Sequence, residues 1–271
     1  MPVDVTLSEA RILSFLLVLS RMSGLLIFLP IPGLRALPES VRPLVALALS
    51  VPLLASAPGL PPGDVNTGRM LLWCLSEVCF GLLWGLAVHF LIEAFVLGAQ
   101  FLALQAGFGY ASIIDPSTQA DAGLLQILAQ LIASLLFFAT GLHREVLYLM
   151  GESIHRVPPG SYLPDIAAAS QLVQLGVAMF EIAARLSMPL IALLLLIDLS
   201  LALLGRVQSQ LQLLSMIFPA KLLLSLFVLG MMSTTYVRLY EIFGDRVLAF
   251  LESSLQMAAG AAARGSLPGG V

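Results

Sequence analysis

The residues able to do chemistry in this chain are few, and they sit among apolar neighbours. Glu77, Glu93, Glu181, Arg185, Asp198, Arg206 and Lys221 lie within or at the ends of otherwise apolar runs. A charge facing lipid at mid-depth costs about 2.5–3.5 kcal/mol on insertion scales, so such groups face protein, water or one another. Glu181 and Arg185 are four residues apart and can pair on one helix face, which makes them a structural pair. Asp198 and Arg206, about 80° apart round a helix, could bracket an exposed helix end or contact another subunit. Alternatively, Glu93 or Asp198 could carry a proton. His89, His143 and His155 share no metal-ligand spacing, and no His-Glu-x-x-His, Gly-x-Ser-x-Gly or phosphate-loop pattern occurs. An intramembrane aspartyl protease would need a second aspartate at depth beside Asp198. The expectation is a protein without catalysis, metal or organic cofactor.

A second group of residues interrupts the chain near its middle. From Gln105 to Gly123 the sequence holds three glycines, Pro116 and two aspartates, and no Lys or Arg. Phe108, Tyr110, Ile113 and Ile114 give it an apolar cluster that a solvated turn does not need, and its polarity does not suit a membrane span. Gly107 and Gly109 supply backbone freedom, and Asp115-Pro116 reads as the N-cap and first position of a following helix. Upstream, Glu93, Gln100 and Gln105 form a polar edge, with Glu93 and Gln100 only about 20° apart on a helix. Such an edge leading to an apolar-tipped loop suits a water-filled lumen. Gly81 and Gly85 form a small-residue stripe continued by His89 and Glu93, which indicates close helix packing.

These residues have to be positioned by membrane-embedded helices. The 271 residues are 59% hydrophobic and only 11% charged, less than half the roughly 25% of soluble domains. The mean hydropathy is +0.99 and the pI near 5.6, which leaves no basic patch for nucleic acid. Cys74 and Cys79 fall about 140° apart on a helix and are poorly placed to bridge. Six apolar segments are expected. The first runs from about Leu7 to Leu29, is read as a retained helix rather than a signal peptide, and stops at Pro30-Ile31-Pro32-Gly33. The second runs from about Glu39 to Ala57, the third from Arg69 to Ala106, and the fourth from Asp115-Pro116 to Leu142 with an amphipathic turn reaching Ile154. The fifth, Ile166 to Leu204, is expected to kink at Pro189, and the sixth runs from Leu213 to Val237. The third segment would span roughly 55 Å as a helix, against about 30 Å of hydrocarbon. Residues 1–260 read as one domain with a central loop at 106–123, and residues 261–271 as a disordered tail.

If the segments alternate sides, seven arginines lie on one face of the membrane and three on the other. Arg11, Arg69, Arg144, Arg156, Arg238, Arg246 and Arg264 stand against Arg35, Arg42 and Arg206. This asymmetry puts both termini in the cytoplasm and the central loop on the far side.

The ordered motifs resemble those of the FliR/SctT family of type III secretion export-gate proteins. Arg21-x-x-Gly24 followed by Pro30, Gly33 and Val41-Arg42 is similar to its N-terminal signature, and Glu77 with Gly81 and Gly85 to its third segment. Gln105-x-Gly107-Phe108 with Asp115-Pro116, then Gly141-Leu142-His143, resembles the flagellar branch. Pro189, Asp198, Leu204-Gly205-Arg206 and Phe218-Pro219-x-Lys221 resemble its C-terminal signature, although Ser209-Gln210-Leu211-Gln212 replaces the family's Pro-Gln-x-Asn.

The resemblance implies an all-α integral membrane protein of long, kinked helical hairpins raised out of the bilayer plane, rather than a standard transmembrane bundle. It implies assembly with FliP and FliQ homologues into a helical export gate of the flagellar basal body in the bacterial inner membrane. FlhB would wrap the entrance, FlhA would couple export to proton motive force, and unfolded flagellar proteins would be the cargo. Gly107, Phe108, Gly109, Tyr110, Ile113, Ile114, Asp115 and Pro116 would then belong to a lumenal plug. The alternatives are a self-contained secondary transporter, for which no convincing internal repeat is found, an injectisome counterpart of the same gate, and a scaffold without gating.

Overall fold

A computed structural model describes residues 9–29, 41–54, 66–106, 123–207, 221, 223–227, 230–231 and 233–265. The described residues are helical apart from short connections. In chain order the helices are α1 (Glu9–Phe28), α2 (Val41–Leu54), α3 (Thr67–Ala106), α4 (Leu124–Ala139), α5 (Leu142–Arg156), α6 (Ile166–Val207) and α7 (Ser233–Gly265). The all-α class expected at the sequence level is the class observed among the described residues. The helices α1, α3 and α6 are long and apolar enough to cross a membrane, and α4 with α5 makes a fourth if the pair counts as one span. The six expected segments are therefore not all matched among the described residues.

Local chemistry accounts for the breaks. α4 ends at Thr140, whose backbone N–H and hydroxyl both donate to the Leu136 carbonyl, at 2.9 and 2.8 Å. Gly141 follows with φ +79°, a left-handed conformation that costs glycine nothing. α5 then starts afresh and buries Val146, Leu149, Met150, Ser153 and Ile154, the three-and-four spacing of one amphipathic face. The polar stretch at His143-Arg144-Glu145 thus lies in the first turn of a 15-residue helix. In α6, Pro189 lies inside a helix that runs on for 42 residues. α7 continues through the Ala-rich run to Gly265, beyond residue 260, where the sequence places the end of the domain.

The chain divides into two compact units, residues 1–90 with 141–176 and 245–271, and residues 91–140 with 177–244. The core of the first contains Leu17, Met22, Leu25, Phe80, Trp84, Met150 and Leu251. Trp84 satisfies its indole N–H on the Ser254 hydroxyl at 3.0 Å. Here α1 meets the first part of α3 backbone to backbone. A Cβ on Gly24 would lie 2.5 Å from the Val78 carbonyl oxygen, one on Gly85 would lie 2.6 Å from that of Leu25, and one on Gly81 would overlap the Arg21 carbonyl oxygen. The glycine stripe of α3 is a groove that α1 fills.

In the second unit, Leu102 and Ala106 of α3 pack on Leu190, Leu194 and Ile197 of α6. Ala99 and Ala103 of α3 pack on Leu125 and Ala129 of α4. Gly98 faces α6, where an added Cβ would come within 3.2 Å of the Ala183 carbonyl oxygen.

The glycine groove makes a clear demand. Gly81→Ala should lower stability by roughly 1–3 kcal/mol, the range for overpacked contacts. Gly68→Ala, with nothing within 4 Å of the new methyl, should be neutral or stabilising. Thermal unfolding of the two variants in detergent would measure the difference.

Candidate functional site

The chemistry-bearing residues gather at two places, one in each unit. In the first unit, Arg21 of α1 is 1% exposed and Glu77 of α3 is fully buried. Such a pair survives burial only if nearly every donor and acceptor is used. Arg21 Nε donates to Glu77 Oε2 at 2.5 Å. Its Nη1 donates to the Ser153 hydroxyl and its Nη2 to the Val157 carbonyl, each at 3.1 Å. Glu77 Oε1 accepts the backbone N–H of Gly160 at 2.8 Å. The guanidinium carbon lies 4.8 Å from the centre of the Phe80 ring, a distance at which the ring face attracts a cation. One ion pair therefore ties α1, α3, the last turn of α5 and the turn after it.

The turn itself fits this role. Gly160 takes φ +86°, with the Trp73 ring 3.2 Å from where a Cβ would stand. Tyr162 packs edge-on against Phe80, with ring centres 4.8 Å apart. Burial, aided by Cys79 and Asp165, pushes the Tyr162 phenol up to about 12 from 10.0.

In the second unit, three of the intramembrane polar residues converge. Lys221 forms an ion pair with Asp198 of α6, and Gln105, in the last turn of α3, donates from Nε2 to Asp198 Oδ2 at 3.2 Å. Lys221 is 8% exposed, so its ammonium depends on that carboxylate. Asp198 is thus bound to Lys221 and Gln105, and the side chain of Arg206 lies outside the described residues. The cluster sits where α3 ends, next to the packed Leu102, Ala106, Leu190 and Leu194. At the start of α4, Leu125 returns onto Ala99 and Ala103. The two stems of the central segment are therefore packed in one unit, with Gln105 pinned at the departing end. Gly107, Phe108, Gly109, Tyr110, Ile113, Ile114, Asp115 and Pro116 lie outside the described residues.

The remaining polar residues are dispersed. Glu93 is half-buried and Gln100 exposed on α3. Glu181 and Arg185 bond at 2.5 Å along α6, with side chains 44% and 59% exposed. Cys74 is half-buried and Cys79 exposed, and both are free thiols. Sequence reasoning did not select Ser153, Val157 and Gly160. Val157 and Gly160 act through backbone atoms, which have no residue signature, and Ser153 is one serine among many.

Two tests follow. Glu77→Leu or Arg21→Met alone should cost about 3–5 kcal/mol, because each strands a buried partner, whereas the double variant Arg21→Met with Glu77→Leu should cost much less than the sum. A double-mutant cycle on unfolding in detergent would measure that coupling. Tyr162 yields a pH dependence: its unfolded phenol ionises near 10 while the folded one stays neutral to about 12. The unfolded state then binds fewer protons, so stability falls as pH rises through that window. Tyr162→Phe should lose that part of the alkaline sensitivity, read as the difference in melting temperature between the two proteins at pH 9 and pH 11.5.

Residues 12–245 match the family described as bacterial export proteins, family 1. The flagellar biosynthetic protein FliR of Escherichia coli K12 is 29% identical over 206 residues, covering 75% of this chain and 78% of that protein. FliR of Bacillus subtilis 168 is 29% identical over 234 residues, covering 85% and 90%. FliR of Aquifex aeolicus is 26% identical over 227 residues, covering 83% and 87%. With a family match over most of its length, and with helices suited to crossing a bilayer several times, the chain belongs to family 1 of the bacterial export proteins.

Proposed function

We propose that this chain is a non-enzymatic subunit of the flagellar type III protein-export channel, in which residues 106–123 form a lumenal plug. It is a multi-pass protein of the bacterial inner membrane and a component of the flagellar export apparatus. On this reading it assembles with FliP and FliQ homologues, meets FlhB and FlhA homologues at the cytoplasmic side, and passes unfolded flagellar proteins. The plug would resist water and ions through Phe108, Tyr110, Ile113 and Ile114, hinge on Gly107 and Gly109, and anchor through Asp115-Pro116.

The observation that carries the plug reading is the arrangement of the segment's stems. Gln105 is fixed to Asp198, and Leu125 packs on Ala99 and Ala103. An apolar, glycine-hinged segment that leaves and returns within one packed unit suits a projecting stopper. The transporter reading draws no comparable support, because one of its two candidate proton carriers, Asp198, is already bound to Lys221 and Gln105.

Deleting residues within Gly107–Asp115 should leave the assembled complex intact and make it leak ions or small molecules. Conductance of cells or reconstituted complexes would measure this, and unchanged permeability in an assembled complex would overturn the plug. A transporter would instead move its solute when this chain alone is placed in liposomes.

A further inference from the structure

The second unit holds a cavity of about 60 Å³ lined by both stems of the central segment. Ala99 and Leu102 come from α3, Ala129 and Ile132 from α4, and Leu186 of α6 and Tyr236 of α7 complete these walls. Ala99, Leu102 and Leu186 are buried, whereas Ile132 is 38% exposed. On α4 that residue continues a stripe of exposed leucines, Leu128, Leu131 and Leu135, one turn or less to either side. The cavity therefore meets the outside at an apolar surface of a helix that belongs to a candidate membrane span.

The walls decide what can enter. A water molecule needs two to four polar partners to stay in a cavity. Helix backbones spend their polar groups on their own turns. The only polar side chain in the lining is Tyr236, and its hydroxyl oxygen is itself buried. Water thus finds nothing to bind. A ring does not fit either, since benzene occupies an engineered cavity of about 150 Å³. At about 30 Å³ for a water-sized group, there is room for about two methylenes. Leaving such a void empty is unfavourable by about tenfold, at the cost per Å³ measured for core cavities. Hydrocarbon at the mouth supplies atoms that can restore the missing contacts, and in a bilayer packing of this kind decides association.

We propose that this cavity is a binding site for the terminal methylenes of one phospholipid acyl chain, which enters past Ile132. The site depends only on the membrane setting of the chain and stands whether or not residues 106–123 form a plug. Because α3 and α4 are the stems of the central segment, the bound tail is a spacer between them.

The test uses the purified protein with whatever subunits accompany it, in liposomes whose phosphatidylglycerol carries a diazirine at the end of one acyl chain. Ultraviolet light followed by peptide mass mapping locates the tail. Adducts are expected on the buried Leu102 and Leu186, which bulk lipid does not reach, as well as on the exposed Leu131 and Leu135. The same group placed beside the ester should label the exposed residues alone. Ala129→Leu puts three more carbons into the cavity and should lower the buried adducts about tenfold relative to those on Leu131, the ratio that favours a filled over an empty void. Persisting adducts on Leu131 and Leu135 report that the variant has folded, and the comparison of the two probes needs no variant at all. Labelling confined to exposed residues would overturn the site, and this is the result expected if a side chain of a neighbouring subunit fills it instead. Equal labelling of Leu102 and Leu186 by the two probes, or undiminished labelling in folded Ala129→Leu, would overturn it as well.

Discussion

The buried pair of Arg21 and Glu77 is the constraint from which the first unit is built. A guanidinium and a carboxylate withdrawn from water are unfavourable unless further hydrogen bonds engage both groups. Those partners come from four places in the chain: α1, α3, the end of α5 and the turn at Gly160. Their geometry is possible because Gly24, Gly81 and Gly85 let α1 and α3 touch through their backbones. With any side chain at Gly81, the Arg21 backbone would have to retreat, and its guanidinium would move with it. Helix packing and charge satisfaction are thus one condition, met by small residues in one place and polar groups in another.

The second unit uses a looser version of the same logic. Asp198 is partly exposed, Lys221 is nearly buried, and Gln105 joins them from the end of α3. Because α3 and α6 also pack through Leu102, Ala106, Leu190 and Leu194, the polar cluster does not hold the helices together by itself. It fixes the rotation and depth of the point where the central segment departs. On the proposed plug reading the central segment needs a stem whose position is set by the rest of the protein, and Gln105 is held in that way.

Much of this was legible in the sequence, for reasons that differ by element. The helices α3 and α6 announced themselves by nearly forty apolar residues without an effective break, and Pro189 did not interrupt α6 because neighbouring turns carry the helix past one missing N–H. The Gly81–Gly85 stripe was visible as spacing, but that Gly24 and Arg21 lie against it depends on tertiary packing. Glu77 was recognisable as an intramembrane charge, yet its partner lies 56 residues away, beyond any periodicity argument. Asp198 shares one helix with Arg206, a relation that periodicity can reveal, whereas its partner Lys221 comes from another segment. The polar start of α5 at His143-Arg144-Glu145 makes it look like a trailing turn of α4 and masks an amphipathic face that begins at Val146.

The wide spacing of the Arg21 network has a consequence for biogenesis. Arg21 is synthesised long before Glu77, and Ser153, Val157 and Gly160 come later still. While α3 is unmade, α1 carries an uncompensated guanidinium in an otherwise greasy helix, a state that favours a shallow position near the interface. Once Glu77 arrives the charge has a counterion, and only after Gly160 leaves the ribosome can the set be completed. The clasp on the first helix in sequence is therefore completed only by residues made much later, and a chain truncated before residue 160 would hold α1 by an incomplete clasp.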